Sequence, residues 1–245
     1  MGSESLRCSE GKLRQAQTAA RVLASDKRVE AVVVFGSVAR GTAKPSSDID
    51  LLVVSVPSQL EPSVIRRRLA TLDTVSIAIA SRSYQQFADL MISGDSFACH
   101  LSAEALILHD RSGAITAALA ASPTADLARE IAMHLRRLSS LERVEQFGGY
   151  FVFLYSRVYG IAKSIVMARL CASGTPVYDR DRAFATLARQ HPELRDHLAV
   201  IHDLAPFYEA TTRRSTAHLS DPYEGPGGES RAARALDAVR AIADV

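Results

Sequence analysis

Two apolar segments, which flank a Gly-Ser pair and an Asp-x-Asp pair, restrict the possible folds of this chain most strongly. The first runs from Ala31 to Phe35 and the second from Leu51 to Val54. Continuous apolar runs of this length, bounded by glycine and polar residues, are typical of buried β-strands. Gly36-Ser37 and Asp48-Ile49-Asp50 lie between them. The segment therefore predicts two neighbouring strands, with a connection that begins at a glycine turn.

The glycine turn and the two acids indicate one shared chemistry. Gly36 permits close backbone approach, and Ser37 can open a short helix whose amides and hydroxyl bind a phosphate. Arg40, one turn later, can add positive charge. Side chains at i and i+2 of a strand share a face, so Asp48 and Asp50 are expected to point together. Paired carboxylates suit Mg²⁺, which completes its shell with water and substrate phosphates.

This pattern resembles the DNA polymerase β-like nucleotidyltransferase superfamily, in particular its minimal and antibiotic nucleotidyltransferases. The shared elements are an apolar residue, Gly-Ser, a short gap and Asp-x-Asp on the second strand, and the resemblance covers about the first half of the chain. It implies that the turn holds the β- and γ-phosphates of a nucleoside triphosphate and that the acids bind Mg²⁺. The nucleotide-binding residues implied are Gly36, Ser37, Arg40 and Ser47, and the catalytic, metal-binding residues are Asp48 and Asp50.

Most active members of that superfamily carry a third acid on the next core strand, and this sequence departs from the pattern there. The matching strand is predicted from Val75 to Ala80, and the aligned position holds Ser76. Three interpretations stay open: another acid substitutes, the acceptor needs little activation, or the domain binds nucleotide without transfer. The candidate substitutes are Asp73, Glu104 and Glu145. Asp73 would lie on the opposite face of a regular strand unless a bulge intervenes.

Strand patterns stop near residue 113, and helical periodicity continues to the end of the chain. We therefore predict an α/β N-terminal nucleotidyltransferase domain over residues 1–113, with a small mixed sheet and helices. An all-α helical bundle is predicted over residues 114–245. The long apolar segment from Tyr150 to Cys171 is expected at the bundle centre, and the segment from Pro222 to Gly228 is expected to be a loop.

The helical half resembles the HEPN-type domain that follows minimal nucleotidyltransferases. The resemblance is carried by Ala162-Lys163-Ser164, by a Gly-x-Pro break and by Phe207-Tyr208-Glu209-Ala210. In the antibiotic enzymes a lysine of the helical domain reaches the triphosphate, which makes Lys163 a candidate nucleotide-binding residue. Alternatively, Lys163 extends to solvent along the bundle. Arg213 and His218 fit the Arg-x4–6-His pattern of HEPN ribonucleases, or else a solvated helix end.

Composition narrows the classes of partner. Lys and Arg total 29 against 27 Asp and Glu, a formal net charge of +2, so no basic field favours broad nucleic-acid binding. The three cysteines have no CxxC spacing, which is typical of reduced thiols. No apolar run reaches the roughly 18 residues of a membrane span. We expect a cytoplasmic protein with neither membrane nor nucleic acid as partner; assembly of identical copies is left open.

Together with these observations, the resemblance to nucleotidyltransferases implies a Mg²⁺-dependent enzyme that transfers a nucleoside monophosphate, AMP from ATP, to a hydroxyl group. The expected acceptor is a small molecule, such as an aminoglycoside-like antibiotic. Three alternatives are a protein-AMPylating enzyme of the toxin–antitoxin type, a nucleotide-binding regulator without transfer activity, and a HEPN-type ribonuclease.

Overall fold

The computed structural model describes residues 3–72, 76–121, 126–212 and 224–245. Compact units cover Met1–Ala125 and Asp126–Val245. The domain limits of 1–113 and 114–245 stay a prediction. Within the described part of the chain, no helix has both the length and the apolar character needed to cross a membrane. Asp73, Arg213 and His218 lie outside the described residues.

The first unit is a four-stranded mixed sheet with helices. Its strand order is β3-β2-β1-β4; β1 is antiparallel to β2 and β4, whereas β2 and β3 are parallel. This confirms the predicted small mixed sheet. The elements are α1 (Ser3–Ala24), β1 (Val29–Phe35), α2 (Gly36–Ala39), β2 (Ile49–Ser55), α3 (Pro62–Leu69), β3 (Ile77–Ser83), α4 (Tyr84–Ser93), α5 (Ser96–Glu104), β4 (Leu106–Asp110) and α6 (Ala114–Ala120).

Helices cover both faces of this sheet, which explains why its central strands are continuously apolar. Val34 and Leu51 belong to a buried cluster with residues of α1 and α3. Val33 and Leu52 point to the other face, where residues of α4, α5 and α6 pack. Successive strand residues alternate between these two clusters, as a pleated strand requires.

The second unit is an all-α bundle built around one long helix, as predicted. Helix α8 contacts α7, α9, α10, α11 and α12, and its Leu154, Tyr155 and Ile165 are fully buried. The elements are α7 (Leu127–Ser139), a short 3₁₀ turn (Val144–Phe147), α8 (Val152–Ala172), α9 (Arg180–Gln190), a second 3₁₀ turn (Pro192–Leu194), α10 (Arg195–His202), α11 (Ala205–Thr212) and α12 (Gly225–Asp244).

The structure corrects the sequence-based boundaries in three places. Helix α5 was not predicted; the Asp95 side chain caps it by accepting a hydrogen bond from the Ala98 amide at 2.8 Å. Helical periodicity was expected to continue past Pro192, but the segment Pro192–Thr212 is divided into a 3₁₀ turn and two helices. Helix α12 begins at Gly225, inside the predicted loop, and its Gly228 packs directly against the buried Phe151 ring.

Candidate functional site

The turn after β1 requires glycine for two independent reasons. Gly36 has a φ of +72°, which L side chains rarely adopt. A β-carbon at this position would lie 2.5 Å from Oδ2 of Asp50. The carbonyl of Gly36 accepts a hydrogen bond from the Arg40 amide at 3.0 Å, which closes the short helix α2. The turn and the second acid are therefore in direct contact.

The two acids sit at the start of β2. Asp48 immediately precedes the strand, and Asp50 is paired with Phe35 of β1. Ile49 between them is fully buried, whereas both acids are half-buried. The alternation of the strand thus places Ile49 in the core and leaves the two carboxylates on the other face. Gly36 therefore lies beside Asp50, and the phosphate-binding and metal-binding roles of these residues stay a prediction.

These residues fit a divalent cation of the Mg²⁺ type. Two carboxylates supply hard oxygen ligands, and Gly36 leaves beside Asp50 a space that a β-carbon would fill. Within the described ranges, no three His, Cys, Asp or Glu side chains come together as a metal cluster. The pair therefore needs ligands from water or a substrate to complete an octahedral shell.

Helix α1 anchors the loop that leads to the acids, a role that the sequence analysis missed. The Ser9 hydroxyl accepts a hydrogen bond from the Ala43 amide at 2.9 Å. The Lys12 ammonium donates to the carbonyls of Pro45 at 3.1 Å and Ser47 at 2.5 Å. Ser9 and Lys12 are buried on the same helix face. The sequence signal for this anchor was the presence of two polar residues, Ser9 and Lys12, on the apolar stripe of α1.

Ser47 helps to shape the same loop. Its hydroxyl accepts a hydrogen bond from the Lys44 amide at 2.9 Å, which closes the turn before Asp48. A hydroxyl that accepts can still donate through its own proton. The contact with Lys44 is therefore compatible with the predicted contact between Ser47 and a phosphate.

Arg40 is held by a carboxylate from α5. Its Nη1 lies 2.7 Å from Oε2 of Glu104, and Nε2 of His100 lies 3.0 Å from the same oxygen. The His100 ring also packs edge-on against Phe35, with centroids 5.8 Å apart. Burial opposes ionisation of Glu104, but hydrogen bonds from His100 and Arg40 outweigh it and hold its pKa below the usual value. Glu104 is thus engaged with two partners and orients Arg40.

Strand β3 supplies no carboxylate to the acid pair. Its register aligns Ala78 with Asp50, and the carbonyl of Ser76 accepts a hydrogen bond from the Ile49 amide at 3.0 Å. Residues paired across strands share a face, so positions 76 and 78 neighbour the acids. The strand from Ile77 to Ser83 contains neither Asp nor Glu. Glu145 is exposed in the second unit, and its role as a substitute acid stays a prediction.

Lys163 lies in the helical unit. Its ammonium donates to the Tyr208 hydroxyl at 3.1 Å and lies 5.1 Å from the centre of the Tyr208 ring. The cation is therefore stabilised by an aromatic side chain of α11. Its predicted contact with a nucleotide stays a prediction.

A comparison with protein families finds a match in the part of the chain that carries the glycine turn and the acids. Residues 17–84 match the family described as nucleotidyltransferase domain. That range contains the glycine turn, both acids and β3. No curated protein matched the chain.

Three solved structures share limited likeness with this protein. A toxin–antitoxin with AMP-PNP is 13% identical (TM-score 0.32; 53% of this chain and 95% of that chain covered). A mutant of the toxin–antitoxin MntA–HpeT is 12% identical (TM-score 0.32; 54% and 95% covered). A nucleotidyltransferase-like protein from Exiguobacterium sibiricum 255-15 is 14% identical (TM-score 0.33; 95% and 74% covered). These scores are too low to indicate an activity.

The local geometry and the matched family converge on one region. The glycine turn, the acid pair and the strands that carry them all fall within residues 17–84, the segment similar to a nucleotidyltransferase domain.

Proposed function

We propose that the N-terminal unit binds ATP with Mg²⁺ and transfers AMP to a hydroxyl group, releasing pyrophosphate. The main support is the close approach of the glycine turn to the second acid, since a β-carbon at Gly36 would lie 2.5 Å from Oδ2 of Asp50. A phosphate-binding turn beside two metal-binding carboxylates has the components that phosphoryl chemistry requires. The family match over residues 17–84 supports the same reaction class.

Each residue would act at a definite place in this reaction. The backbone amides at Gly36 and Ser37 and the guanidinium of Arg40 would hold phosphate oxygens. Asp48 and Asp50 would hold Mg²⁺. When bound, Mg²⁺ supplies Lewis-acid neutralisation of the phosphate charge. The acceptor oxygen forms a bond to the α-phosphorus, the bond to the bridging oxygen of pyrophosphate breaks, and the hydroxyl proton passes to a base or to water.

The acceptor that we propose is a small molecule with hydroxyl groups, such as an aminoglycoside-like antibiotic. This proposal rests on the resemblance of the motif to the antibiotic nucleotidyltransferases. A protein hydroxyl is the alternative acceptor, because the motif resembles that of the minimal nucleotidyltransferases equally well. In either case Lys163 is proposed to contact the triphosphate.

Strand β3 favours a second candidate, a regulator that binds nucleotide without transfer. Ser76 and Ala78 occupy the positions beside the acid pair, and neither can accept a proton as a carboxylate does. General-base assistance is typically worth about 10²–10⁴-fold in rate. A protein without a general base could still bind nucleotide at the glycine turn, but its rate of transfer would be lower by that factor.

The test is a transfer assay with ATP labelled in the α-phosphate, Mg²⁺, a panel of aminoglycosides, and a protein extract as a second acceptor pool. We expect labelled acceptor with the wild type and a loss of at least roughly a thousandfold in Asp48→Asn with Asp50→Asn, because metal neutralisation is worth several kcal/mol. Glu61→Gln with Asp89→Asn is the matched control, since both acids are exposed. Full transfer by the Asp48/Asp50 double variant would contradict the site.

Two further variants separate the enzyme from the regulator. If the missing acid limits transfer, Ala78→Asp or Ser76→Asp should raise turnover at saturating Mg²⁺, by up to about 10²-fold. Wild-type protein that binds ATP but labels no acceptor, together with Ala78→Asp protein that does transfer, would identify the regulator.

A further inference from the structure

Positive charge is concentrated at the end of the sheet that lies opposite the glycine turn. Gly36 follows the last residue of β1, whereas the turn that links α1 to β1 precedes its first residue. The 7 residues of β1 span about 20 Å at roughly 3.3 Å per residue, so this end is separate from the acid pair. Its cations come from that turn, from α3 and from the residue after β4. They are Lys27, Arg28, Arg66, Arg67, Arg68 and Arg111, and we call this group the basic end.

Three arginines of the basic end converge on Asp26, in the turn between α1 and β1. Nη2 of Arg28 lies 2.9 Å from Oδ2 of Asp26, and Nη2 of Arg68 lies 2.8 Å from the same oxygen. Arg111 donates to the carbonyl of Asp26 at 3.3 Å. The hydrogen bonds from Arg28 and the charge of Arg68 lower the pKa of Asp26 to about 2. One ionised carboxylate thus holds two guanidinium groups at the surface, where 51% of the Arg28 side chain and 37% of the Arg68 side chain stay exposed.

The other three cations of the basic end are exposed. Arg66 and Arg67 directly precede Arg68 on α3, and Lys27 directly precedes Arg28. The side chains of Arg66, Arg67 and Lys27 form no ion pair or hydrogen bond with any residue that the structure describes. The dipole of α3 favours cations in its last turn, but the helix carries no Asp or Glu that could pair with them. These three groups are therefore available to an anion from outside the unit.

The acids of the adjacent strand ends are engaged in local hydrogen bonds. Glu30 of β1 is buried and accepts a hydrogen bond from the Ser112 amide at 3.1 Å. Asp110 of β4 accepts one from the Thr116 amide at 2.8 Å, which ties it to α6. Neither carboxylate forms an ion pair with a cation of the basic end. Repulsion among closely placed cations disfavours the folded unit, and a bound polyanion would relieve it.

A row of exposed arginines extends this charge along α1. Arg7, Arg14 and Arg21 recur every seven residues, which places them on one side of the helix, and all three are exposed. Neighbouring members are about 10 Å apart along the helix axis. Glu10, an exposed acid, lies between Arg7 and Arg14 and offsets part of the charge. Arg21 lies in the last turn of α1, so the row ends beside the turn that holds Asp26. We call the row and the basic end together the basic surface.

We propose that the basic surface binds the phosphate backbone of a nucleic acid without reading its sequence. A single exposed cation contributes little to binding, so a ligand must contact many of them at once. A row of phosphates does so, and each contact also releases a counterion from the nucleic acid. Eight of the nine cations are arginines, whose planar guanidinium groups match phosphate oxygens in pairs. The surface is separate from the ATP site and does not depend on transfer activity.

This proposal departs from the expectation that nucleic acid is no partner. That expectation rested on the net charge of the whole chain, which is only +2. A net charge averages over the surface, whereas binding depends on the local field. The fold brings the cations of α1, α3 and the strand ends together, although they lie far apart in the sequence.

Fluorescence anisotropy with the full chain tests this proposal. The probes are a labelled uridine RNA and a mixed-sequence DNA, each single-stranded and about 20 nucleotides long, in EDTA and without ATP. We expect similar affinities for the two probes, because no base is read, and a steep fall of affinity with salt. About six phosphate contacts on a single strand predict a roughly 300-fold loss of affinity between about 50 and 200 mM salt.

Two pairs of substitutions test the two parts of the basic surface. Arg66→Gln with Arg67→Gln should weaken the binding of both probes by about tenfold and should reduce the dependence on salt, because two phosphate contacts are lost. Arg14→Gln with Arg21→Gln should have the same effect. All four side chains are exposed, so the fold should be unaffected.

Three controls make the result specific. Arg136→Gln with Arg137→Gln removes two consecutive, exposed arginines from the last turn of α7 and should leave the affinity unchanged. ATP with Mg²⁺ should displace no more probe than Mg²⁺ alone, because the ATP site lies at the other end of β1. Polyglutamate of matched length and charge should compete poorly.

Four results would overturn the proposal. They are no binding by the wild type, equal weakening by Arg66→Gln with Arg67→Gln and by Arg136→Gln with Arg137→Gln, displacement by ATP, and polyglutamate competing as well as RNA does. Displacement by ATP would assign the probe to the ATP site, and effective competition by polyglutamate would indicate an acidic protein partner instead.

Discussion

The two compact units position their polar residues by different means. In the sheet unit, the backbone positions the polar residues. The strand register pairs Asp50 with Phe35, and the adjacent turn brings Gly36 close to the Asp50 carboxylate. In the helical unit, polar residues are positioned by contacts between side chains that are far apart in the sequence. The Tyr155 hydroxyl donates to Oε2 of Glu224 at 2.7 Å, and Arg180 binds Glu209 at 2.8 Å.

Changes to the acid pair of the first unit should therefore have little effect on stability, whereas the buried polar contacts of the second unit stabilise its core. Asp48 and Asp50 are half-buried at a strand start, so isosteric changes there should leave the core intact. Tyr155 is fully buried at the bundle centre. Burial and the hydrogen bond to Glu224 raise the pKa of its hydroxyl, so the group stays neutral and structural. The following predictions test this contrast.

The largest effect on stability is expected in the helical unit, at Gly228. A β-carbon there would overlap the ring of the fully buried Phe151. Gly228→Ala should lower the free energy of unfolding by about 3 kcal/mol, as overpacking of a tight core does. Gly227→Ala is the matched control, because a β-carbon there would meet nothing within 4 Å beyond its chain neighbours and its own helix backbone. It should be neutral or stabilising by about 0.5–1 kcal/mol. Urea denaturation measures both variants, and equal stabilities would contradict the packing argument.

The next effect concerns Lys12, whose ammonium binds the carbonyls of Pro45 and Ser47. Lys12→Met should cost about 2 kcal/mol of stability, because two carbonyls lose a charged donor. It should also lower ATP affinity, because the loop before Asp48 loses its anchor. Lys27→Met, at an exposed lysine of the same unit, serves as the control. Unchanged ATP affinity in Lys12→Met would show that the loop holds its shape without α1.

Gly36 should show a smaller loss of stability and a large loss of function. Gly36→Ala and Gly41→Ala both place alanine at a φ near +70°, which costs about 1–2 kcal/mol. Only at Gly36 does the new β-carbon meet Asp50. Stabilities should therefore fall similarly, whereas Mg²⁺-dependent ATP binding should be lost in Gly36→Ala alone. Similar ATP affinities for the two variants would contradict the close contact.

The smallest effect is a pH dependence at Glu104. The folded-state pKa of Glu104 lies below its ordinary value of 4.5. Its contribution to stability is therefore present above pH 4.5 and is lost as the pH falls through the folded-state pKa. Glu104→Gln should cost about 1 kcal/mol at neutral pH and less at pH 3. A constant difference in the free energy of unfolding between pH 7 and pH 3 would contradict this assignment.

The sequence was informative where chemistry is concentrated in a short segment. The Gly-Ser turn, the Asp-x-Asp pair and the two flanking strands lie within residues 31–54, and their local spacing fixes which side chains share a face. The anchoring by Lys12 and the pairing of Glu104 with Arg40 join residues 33 to 64 positions apart. No local pattern encodes such contacts, because they depend on how helices pack against the sheet.

In the helical unit, too, local sequence patterns predicted some features and missed others. The periodicity of the long apolar segment predicted a central helix, and α8 occupies that place. The start of α12 was predicted wrongly, because glycine and proline usually mark loops. At Gly228 the small residue serves close packing against Phe151. Composition alone cannot distinguish a glycine that bends the chain from one that makes room for a ring.

The central claim is that Asp48 and Asp50 form a metal-dependent nucleotide site with the turn at Gly36. Equilibrium binding of ATP, with Mg²⁺ and with EDTA, tests it most directly and does not require the acceptor to be known. We predict that Mg²⁺ strengthens ATP binding to the wild type and to Glu61→Gln with Asp89→Asn. Asp48→Asn with Asp50→Asn should lose this enhancement while unfolding at the wild-type temperature. An enhancement of the same size in the Asp48/Asp50 double variant would contradict the claim.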